Sequence, residues 1–347
     1  MPNRGKMAGH ESGTDIAAVA MLTAESPLSQ IRAARERIAG VAIRTPVVPL
    51  HDPASPGICL KLENLQPTGS FKVRGATNLV AQLSRAELED GLLTASAGNM
   101  GQAVAWSAHR LGVPCTVIVP DTAAANKVEA VERWGGTVIR VSFDRWWEVF
   151  TDRRFDGRRG TFVHPFEDQR VMDGNGTIGL ELIEDAPEID TVLIPWGGGG
   201  LACGIAAAIR ASGHRCSIFA CEVENASPLT GSLAAGHPVE TSYERSFVDG
   251  IGSKTVMSGM YALARELLDG VLVATVAEVE AAVATLFRNN RVVAEGAGAC
   301  PVAVARSGRL GDATVACVVS GGNIDAATLF EIVGRHQEGG SAVSHTG

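Results

Sequence analysis

The chain has 347 residues, of which 46% are hydrophobic, 20% charged and 5% aromatic. This composition supplies enough apolar residues for a large core, which excludes a disordered or fibrous protein, and at about 150 residues per domain the length suggests two domains. The net charge of −8, from 30 basic and 38 acidic side chains, and the lack of a basic stripe argue against nucleic acid as a partner.

The cysteines and the apolar segments indicate the compartment. None of the 7 cysteines lies in a CxxC pair and most lie in apolar segments, which predicts buried free thiols in a reducing cytoplasm. The apolar segment Ile16–Leu22 follows the acidic residues Glu11 and Asp15, which is not typical of a signal peptide. The uncharged segment 191–209 contains Pro195 and four consecutive glycines, which is not typical of a membrane-spanning helix. We therefore expect a cytoplasmic protein with no membrane partner.

The predicted elements begin with a helix and continue as alternating strands and helices. Ser26-Pro27 is typical of a helix start, and this helix stops at Gly40. Short β-branched segments predict strands at 116–119, 137–141, 191–195, 217–221 and 314–319. Ala-rich segments predict helices at 101–110, 123–134, 201–211 and 325–334. The alternation predicts βαβ units and parallel sheets, whose ligands bind where loops leave the carboxyl ends of strands.

The first such loop, Pro67–Ala76, carries Lys72 between Phe71 and small residues. A lysine is usually an exposed surface charge. Alternatively, a lysine in a protected pocket has a lowered pKa and can form a Schiff base. The motif alone leaves both interpretations open.

Two further loops combine small and polar residues. Ser96-Ala97-Gly98-Asn99-Met100 begins a helix whose free N–H groups can hold a carboxylate, and the Asn99 amide can bind a cofactor oxygen. Ser320-Gly-Gly-Asn follows a strand, and its hydroxyl could face a ring nitrogen. A capped turn explains either loop equally well.

The segment Gly197–Gly200 lies between a predicted strand and a helix that continues through Leu201. Consecutive glycines let backbone N–H groups converge on an anion, and the helix N-terminus adds a positive dipole. The segment lacks the Lys-Ser/Thr of a nucleotide P-loop and is not GxGxxG. It therefore predicts a monophosphate site, with a tight turn as the alternative.

These four motifs, around Lys72, Asn99, Gly197–Gly200 and Ser320, resemble those of the fold-type II pyridoxal-phosphate enzymes in order and approximate spacing. The resemblance covers residues 27–335 and is strongest to the threonine dehydratase and serine racemase branch. Lys72-Val-Arg-Gly follows the dehydratase pattern, unlike the motifs of cysteine synthases and threonine synthases.

The resemblance implies an α/β fold with two open, mostly parallel twisted sheets flanked by helices, as in tryptophan synthase β. It implies a large cofactor-binding domain of residues 26–75 and 162–335. A small mobile domain of residues 76–161 would close over the substrate. Residues 1–25 and 336–347 are expected to be flexible tails, with no regulatory domain after residue 335.

By the same resemblance, Lys72 forms the Schiff base with pyridoxal 5′-phosphate and later takes the α-proton, and Phe71 packs against the ring. Gly197–Gly200 and Leu201 hold the phosphate. Asn99 bonds the phenolic oxygen. Ser320 bonds the ring nitrogen, and because its hydroxyl is neutral, β-elimination is favoured over transamination.

Further residues are implied beside the cofactor and the substrate. Glu295, in Glu-Gly-Ala-Gly-Ala, resembles a stretch beside the cofactor, with a helix cap as the alternative. Asp249-Gly250-Ile251 resembles a stretch near the substrate, with a turn as the alternative. The substrate carboxylate would bind at Ser96, Ala97, Gly98, Asn99 and Met100.

The chain departs from the family pattern at several positions. Ala97 stands where racemases carry a serine, which favours elimination over racemisation, and Met100 replaces a common histidine. Trp146-Trp147 belongs either to the core or an interface, or to a reshaped substrate pocket. Pro228 lies near the position of a second metal carboxylate after Glu222, so we expect no divalent metal, while a monovalent ion held by carbonyls stays open. His164, before Pro165, is expected to be structural.

We therefore expect a pyridoxal-phosphate-dependent ammonia-lyase, a cytoplasmic homodimer. It would convert a β-hydroxy amino acid, L-threonine or L-serine, into a 2-oxo acid and ammonia. Three alternatives stay open: the same reaction on a bulkier β-hydroxy amino acid, a β-replacement synthase of the cysteine synthase type, and a catalytically silent cofactor-binding or partner-binding protein.

Overall fold

A computed structural model describes residues 27–96 and 98–336 of the chain. The predicted tails, except for His336, lie outside the described residues, and so do Ser26 and Ala97.

The strands are β1 (Val47–Pro49), β2 (Ile58–Lys61), β3 (Leu92–Ala95), β4 (Cys115–Pro120), β5 (Thr137–Val141), β6 (Thr161–Phe162), β7 (Thr191–Pro195), β8 (Ser217–Val223), β9 (Gly270–Ala274) and β10 (Val315–Val318). The helices are α1 (Pro27–Ile38), α2 (Lys72–Val80), α3 (Arg85–Glu89), α4 (Asn99–Leu111), α5 (Ala125–Glu132), α6 (Phe143–Asp152), α7 (Gln169–Asp185), α8 (Gly200–Ala211), α9 (Pro228–Ala235), α10 (Ser258–Leu267), α11 (Val276–Thr285), α12 (Gly296–Arg306) and α13 (Ala326–Arg335).

Two sheets organise the described residues. The larger has the strand order β1-β2-β10-β7-β8-β9, in which only the pairing of β1 with β2 is antiparallel. The smaller has the order β5-β4-β3-β6 and is parallel throughout. The prediction of an α/β fold with two mostly parallel sheets is confirmed.

We call the larger sheet with its helices the larger domain, and the smaller sheet with its helices the smaller domain. In the smaller domain, Leu93 of β3 pairs with Phe162 of β6. The chain enters it along α2, whose first residue is Lys72 and whose apolar residues Leu79 and Val80 pack in the core of the smaller domain. Lys72 therefore lies where the two domains meet.

The central strands are apolar and buried on both faces, as expected for parallel sheets covered by helices. All residues of β7 and β10 are buried. All seven cysteines are free and five are buried, and burial raises the pKa of the Cys203 thiol to about 12. Among the described residues, no helix combines the length and the apolar character that crossing a membrane requires.

A buried cluster of four charges joins β2, α2 and α7. Arg74 donates from Nε and Nη2 to Glu63, at 2.8 Å each, and from Nη1 and Nη2 to Glu181, at 2.7 and 2.8 Å. Lys61 Nζ donates to Glu181 Oε2 at 2.6 Å and to the Thr45 carbonyl at 2.6 Å. Burial alone would raise the pKa of Glu63, but the charge and hydrogen bonds of Arg74 hold it below its usual value. The two cations and two carboxylates thus balance one another.

Removing one charge from this cluster should lower the free energy of unfolding. Arg74→Met leaves both carboxylates buried without their main partner, so the free energy of unfolding should fall by about 3–5 kcal/mol in urea denaturation. The matched control is Arg335→Met, because Arg335 pairs at the surface with Glu331 of α13 and with Glu280 of α11. It should cost at most about 1 kcal/mol. Equal losses in the two variants would contradict a structural role for the cluster.

Candidate active site

The loop that carries Lys72 and the loop that follows β10 lie side by side. Ser70 forms an antiparallel bridge with Gly321, and the Phe71 N–H donates to the Ser320 carbonyl at 2.9 Å. Because β2 and β10 are parallel neighbours, their carboxyl ends bring these two loops together. The first and the fourth of the sequence motifs therefore form one wall of a single cleft.

Lys72 is the first residue of α2, and its amine lies in this cleft. Its Nζ donates to the Pro165 carbonyl at 2.8 Å and lies 4.9 Å from the centroid of the Phe71 ring. Burial lowers the pKa of Lys72 to about 8, although the charge of Glu295 opposes this shift. A substantial fraction of the amine is therefore neutral near pH 8, as a Schiff-base lysine requires. The interpretation of Lys72 as an exposed surface charge is wrong.

The glycine segment Gly197–Gly200 follows β7 and leads into α8. Gly199 has φ of 90° in the left-handed region. A Cβ on Gly198 would lie 2.0 Å from the Phe166 ring, and one on Gly200 would lie 2.7 Å from the Phe166 carbonyl oxygen. Side chains are therefore excluded here, and the N–H groups of the first turn of α8 have no acceptor within the helix. Such an end of a helix suits a phosphate.

The remaining residues predicted to hold the cofactor lie around these loops. Phe71 and Ser320 are both buried, and the Leu201 side chain lies in the core, so Leu201 offers only its backbone N–H. The Ser70 hydroxyl is buried without a hydrogen-bond partner among the described residues. A buried hydroxyl of this kind, beside a cradle with no side chains, fits the polar and phosphate groups of pyridoxal phosphate.

Asn99 links three of the motifs. It begins α4 after the N-cap residue Gly98, and its Nδ2 donates to Glu295 Oε1 at 2.7 Å. Asn323 Nδ2 donates to Asn99 Oδ1 at 2.8 Å and to the Thr68 carbonyl at 2.9 Å. The amide of Asn99 is thus fixed in orientation, and its second N–H makes no hydrogen bond to the described residues, so that it can bind a ligand. Asn323 was missed as a site residue, although it lies in the Ser-Gly-Gly-Asn motif.

Glu295 faces the cleft and does not cap a helix. It precedes α12, but its side chain makes no capping hydrogen bond and accepts from Asn99 instead. Burial raises the pKa of Glu295 to about 7, while the hydrogen bond from Asn99 lowers it and the charge of Asp249 raises it. The carboxyl group therefore titrates close to neutral pH.

A pair of charges joins the two domains at the cleft. Lys127 Nζ, on α5 of the smaller domain, donates to Asp249 Oδ2 of the larger domain at 2.5 Å. Both residues act electrostatically on Glu295, which places the pair beside the site. Asp249 lies in the Asp249–Ile251 turn singled out in the sequence. Lys127 was missed, because nothing in its local sequence distinguishes it from a surface lysine.

The loop predicted to hold the substrate carboxylate lies at the N-terminus of α4. Ser96 Oγ accepts a hydrogen bond from the Gly98 N–H at 3.4 Å, and Ala97 lies outside the described residues. The Met100 side chain is 1% exposed and packs in the core of the smaller domain. The group of Met100 that is available to a substrate at the helix end is its backbone N–H.

Trp146 and Trp147 lie on α6 within a cluster of rings. The Trp146 ring centroid lies 5.5 Å from that of Phe150, and Trp147 stacks on Phe150 at 5.4 Å. Phe150 in turn lies 5.6 Å from Phe166, which covers the glycine segment. Trp146 is partly buried against this cluster, whereas Trp147 is 40% exposed. Both tryptophans meet the site through these phenylalanines, which favours a core or interface role over a place in the substrate pocket.

Glu222 acts as a cap for a neighbouring helix. Its carboxylate accepts from the N–H groups of Leu229 and Thr230, at 2.8 and 2.9 Å, and from the Thr230 hydroxyl at 2.7 Å. Pro228 is the first residue of this helix, α9. Within residues 27–96 and 98–336, no cluster of three or more His, Cys, Asp or Glu side chains could hold a metal ion.

Known proteins resemble the chain over most of its length. A family model described as pyridoxal-phosphate dependent enzyme matches residues 38–321. The L-threonine ammonia-lyase of Geobacter sulfurreducens is 37% identical over 316 residues, covering 89% of this chain and 78% of that protein. The catabolic L-threonine dehydratase of Staphylococcus aureus is 34% identical over 317 residues, covering 88% of this chain and 91% of that protein. Maize serine racemase superposes with a TM-score of 0.80 at 31% identity, covering 89% of this chain and 97% of that chain.

Gly69→Ala should damage the site beyond its effect on the backbone. Gly69 has φ of +70°, and a Cβ there would lie 2.5 Å from Asn323 Oδ1, so Asn323 must move and release Asn99. We expect pyridoxal phosphate to bind at least about tenfold more weakly, a loss of about 1.4 kcal/mol, in a titration followed by visible absorbance.

Gly112→Ala is the matched control for this change. Gly112 has φ of +68° but has nothing within 4 Å of its Cβ position. Both variants should lose about 1–2 kcal/mol of stability through backbone strain, but only Gly69→Ala should lose cofactor affinity. Equal affinities for the cofactor would refute the role of Asn323.

Glu295 should make the stability of the cofactor-free protein depend on pH. Its pKa rises from 4.5 in the unfolded chain to about 7 in the folded protein. Its contribution to stability is therefore complete below about pH 4.5 and is lost as the pH rises through about 7. Between about pH 5 and pH 8, the wild type should lose about 3 kcal/mol of unfolding free energy relative to Glu295→Gln. Urea denaturation at each pH measures this, with the exposed Glu36→Gln as control, and parallel curves for wild type and Glu295→Gln would contradict it.

Proposed function

This chain belongs to the family of pyridoxal-phosphate-dependent enzymes, and from that premise we propose that it is an ammonia-lyase. It converts the β-hydroxy amino acids L-threonine and L-serine into a 2-oxo acid and ammonia. The observation that carries the proposal is the meeting of Lys72, the glycine segment Gly197–Gly200, Asn99 and Ser320 in one cleft. Relatives of the chain with this activity, L-threonine ammonia-lyases, cover most of its length.

Each of these residues has a task in holding the cofactor. Lys72 would be the covalent attachment point, and the N–H groups of Gly197–Gly200 and Leu201 would bind the phosphate. Asn99 would donate to a ring oxygen. Ser320, which follows β10, would offer a neutral hydroxyl to the ring nitrogen. When bound, pyridoxal phosphate supplies the electron sink for the electrons released at the substrate α-carbon.

The substrate is bound and deprotonated by groups of the chain itself. The N–H groups at the N-terminus of α4, from Gly98 to Met100, bind the substrate carboxylate with the help of the helix dipole. The amine of Lys72, whose pKa is about 8, takes the proton from the α-carbon once it is free. The Lys127–Asp249 pair holds the two domains together over the cleft, which keeps water away from the reacting groups.

Two features favour elimination from a small substrate. Position 97 is where the resemblance places the second serine of racemases, and Ala97 has no hydroxyl, so a single base serves the α-carbon and racemisation is disfavoured. The alternative of a bulkier β-hydroxy amino acid rested on Met100 and on Trp146-Trp147. Met100 is buried in the core, and the tryptophans contact other rings of their own cluster, so this alternative loses its support.

The setting of the enzyme belongs to the same proposal. The seven free cysteines suit a reducing cytoplasm. A homodimer is the assembly that the resemblance of the sequence implies, and sedimentation of the purified protein tests it. Residues 76–161 move as a unit against the larger domain when the substrate binds.

Lys72→Ala tests the proposed chemistry directly. The wild type should form 2-oxobutanoate from L-threonine and pyruvate from L-serine, and the variant should lose at least about a thousandfold in turnover because the attachment point and the base disappear together. The 2-oxo acid is measured during the reaction, and visible absorbance reports the bound cofactor. Lys254→Ala, which removes a lysine outside the cleft, should keep its activity. Repeated turnover by Lys72→Ala would overturn the assignment of this lysine, and a wild type that forms neither product would overturn the choice of substrate.

A further inference from the structure

The buried side chain of His164 stabilises the backbone turn that begins at this residue. Its side chain is 1% exposed, and its Nδ1 accepts from the backbone N–H of Glu167 at 2.8 Å and from that of Phe166 at 3.4 Å. These two hydrogen bonds fold the segment His164–Glu167 into a turn around the His164 side chain. This segment follows β6 and precedes α7, so it connects the smaller sheet to a long helix of the larger domain.

The imidazole of His164 is neutral. Because Nδ1 accepts two N–H groups, the ring proton lies on Nε2. The ring packs against Phe150 and Phe166, with centroids 4.7 and 4.8 Å away. Burial, and next the charges of Arg153 and Lys72, lower the pKa of His164 to about 3. Nδ1 therefore keeps its lone pair as an acceptor at any pH at which the enzyme works.

The turn places two groups against the site. The Pro165 carbonyl accepts from Lys72 Nζ at 2.8 Å, and the Phe166 ring lies against Gly198. The attachment lysine and the phosphate cradle are both positioned by consecutive residues of one turn. A change in the conformation of this turn would therefore move both the Pro165 carbonyl and the Phe166 ring.

We propose that His164 is a positioning residue that holds the His164–Glu167 turn in its shape. The Pro165 carbonyl is thereby a fixed acceptor for the Lys72 amine whenever that amine is not bonded to the cofactor. The inference rests on the proposed function, in which Lys72 alternates between a bonded and a free state. A fixed acceptor keeps the free amine at one place in the cleft, so that it does not pair with Glu295, the carboxylate that acts electrostatically upon it. His164 and Glu295 are the titratable groups coupled to Lys72 among the described residues.

The test uses cofactor-free protein without substrate, so its outcome is independent of the substrate assignment. Reductive methylation by formaldehyde and cyanoborohydride, read by mass spectrometry on the peptide that contains Lys72, gives the reactivity of this amine against pH. The wild type should show a midpoint near pH 8, because the pKa of Lys72 is about 8. His164→Phe keeps a ring in the aromatic surroundings but removes the acceptor. His164→Asn is the matched variant, since its side-chain oxygen can accept the same backbone N–H groups.

The proposal predicts that His164→Phe lowers the midpoint for Lys72 by about one pH unit, because the ammonium form loses its carbonyl acceptor while the pocket stays dry. His164→Asn should return the midpoint to the wild-type value and should bind pyridoxal phosphate as the wild type does. An unchanged midpoint in His164→Phe would overturn the proposal, and so would a rise toward the ordinary lysine value, which indicates an opened pocket. His164→Met replaces the phenylalanine variant if circular dichroism finds that one unfolded. If both apolar variants fail to fold while His164→Asn folds, the role of His164 is structural and the proposal is wrong.

Discussion

The site depends on the charge balance around Arg74. Each ion of this cluster would cost several kcal/mol to bury alone, and the cluster is tolerated because every carboxylate oxygen has a donor. Arg74 lies two residues beyond Lys72 on α2, and its partner Glu181 lies on α7, the helix that continues from the His164–Glu167 turn. The lysine and the turn that supplies its acceptor are therefore fixed to the same buried cluster, one from each side.

Lys61, which is buried, and Lys72, which is half-buried, show how the environment decides the chemistry of a lysine. Lys61 Nζ meets the Glu181 carboxylate at 2.6 Å and serves the fold. Lys72 Nζ meets an uncharged carbonyl at 2.8 Å, and burial lowers its pKa to about 8. Among residues 27–96 and 98–336, no carboxylate forms an ion pair with the Lys72 amine. The amine stays reactive because nothing compensates fully for the loss of water around its charge.

The glycines of the motifs mark places where another motif approaches. A Cβ on Gly69 would meet Asn323 Oδ1 at 2.5 Å, and a Cβ on Gly321 would meet Glu295 Oε1 at 2.6 Å. In the same way the Phe166 ring lies against Gly198. These glycines allow polar side chains from distant parts of the sequence to reach the cleft, which explains why each motif combines glycine with a polar residue.

The sequence by itself determined the elements, the motifs and the family. Strands 137–141 and 191–195 have the predicted bounds, since β-branched runs between turn residues are a local signal. The order of the four motifs was enough to predict the fold and the pyridoxal-phosphate dependence, which the matched family confirms.

Only the tertiary structure decided which side chains meet. Glu295 accepts from Asn99, which lies 196 positions away, and Lys127 donates to Asp249 across 122 positions. Met100 turns into the core, and His164 holds the turn that supplies the acceptor of Lys72. Periodicity and composition report how each residue relates to its chain neighbours. The chemistry of the cleft depends on burial and on contacts between distant segments, and these exist only after the two sheets have packed.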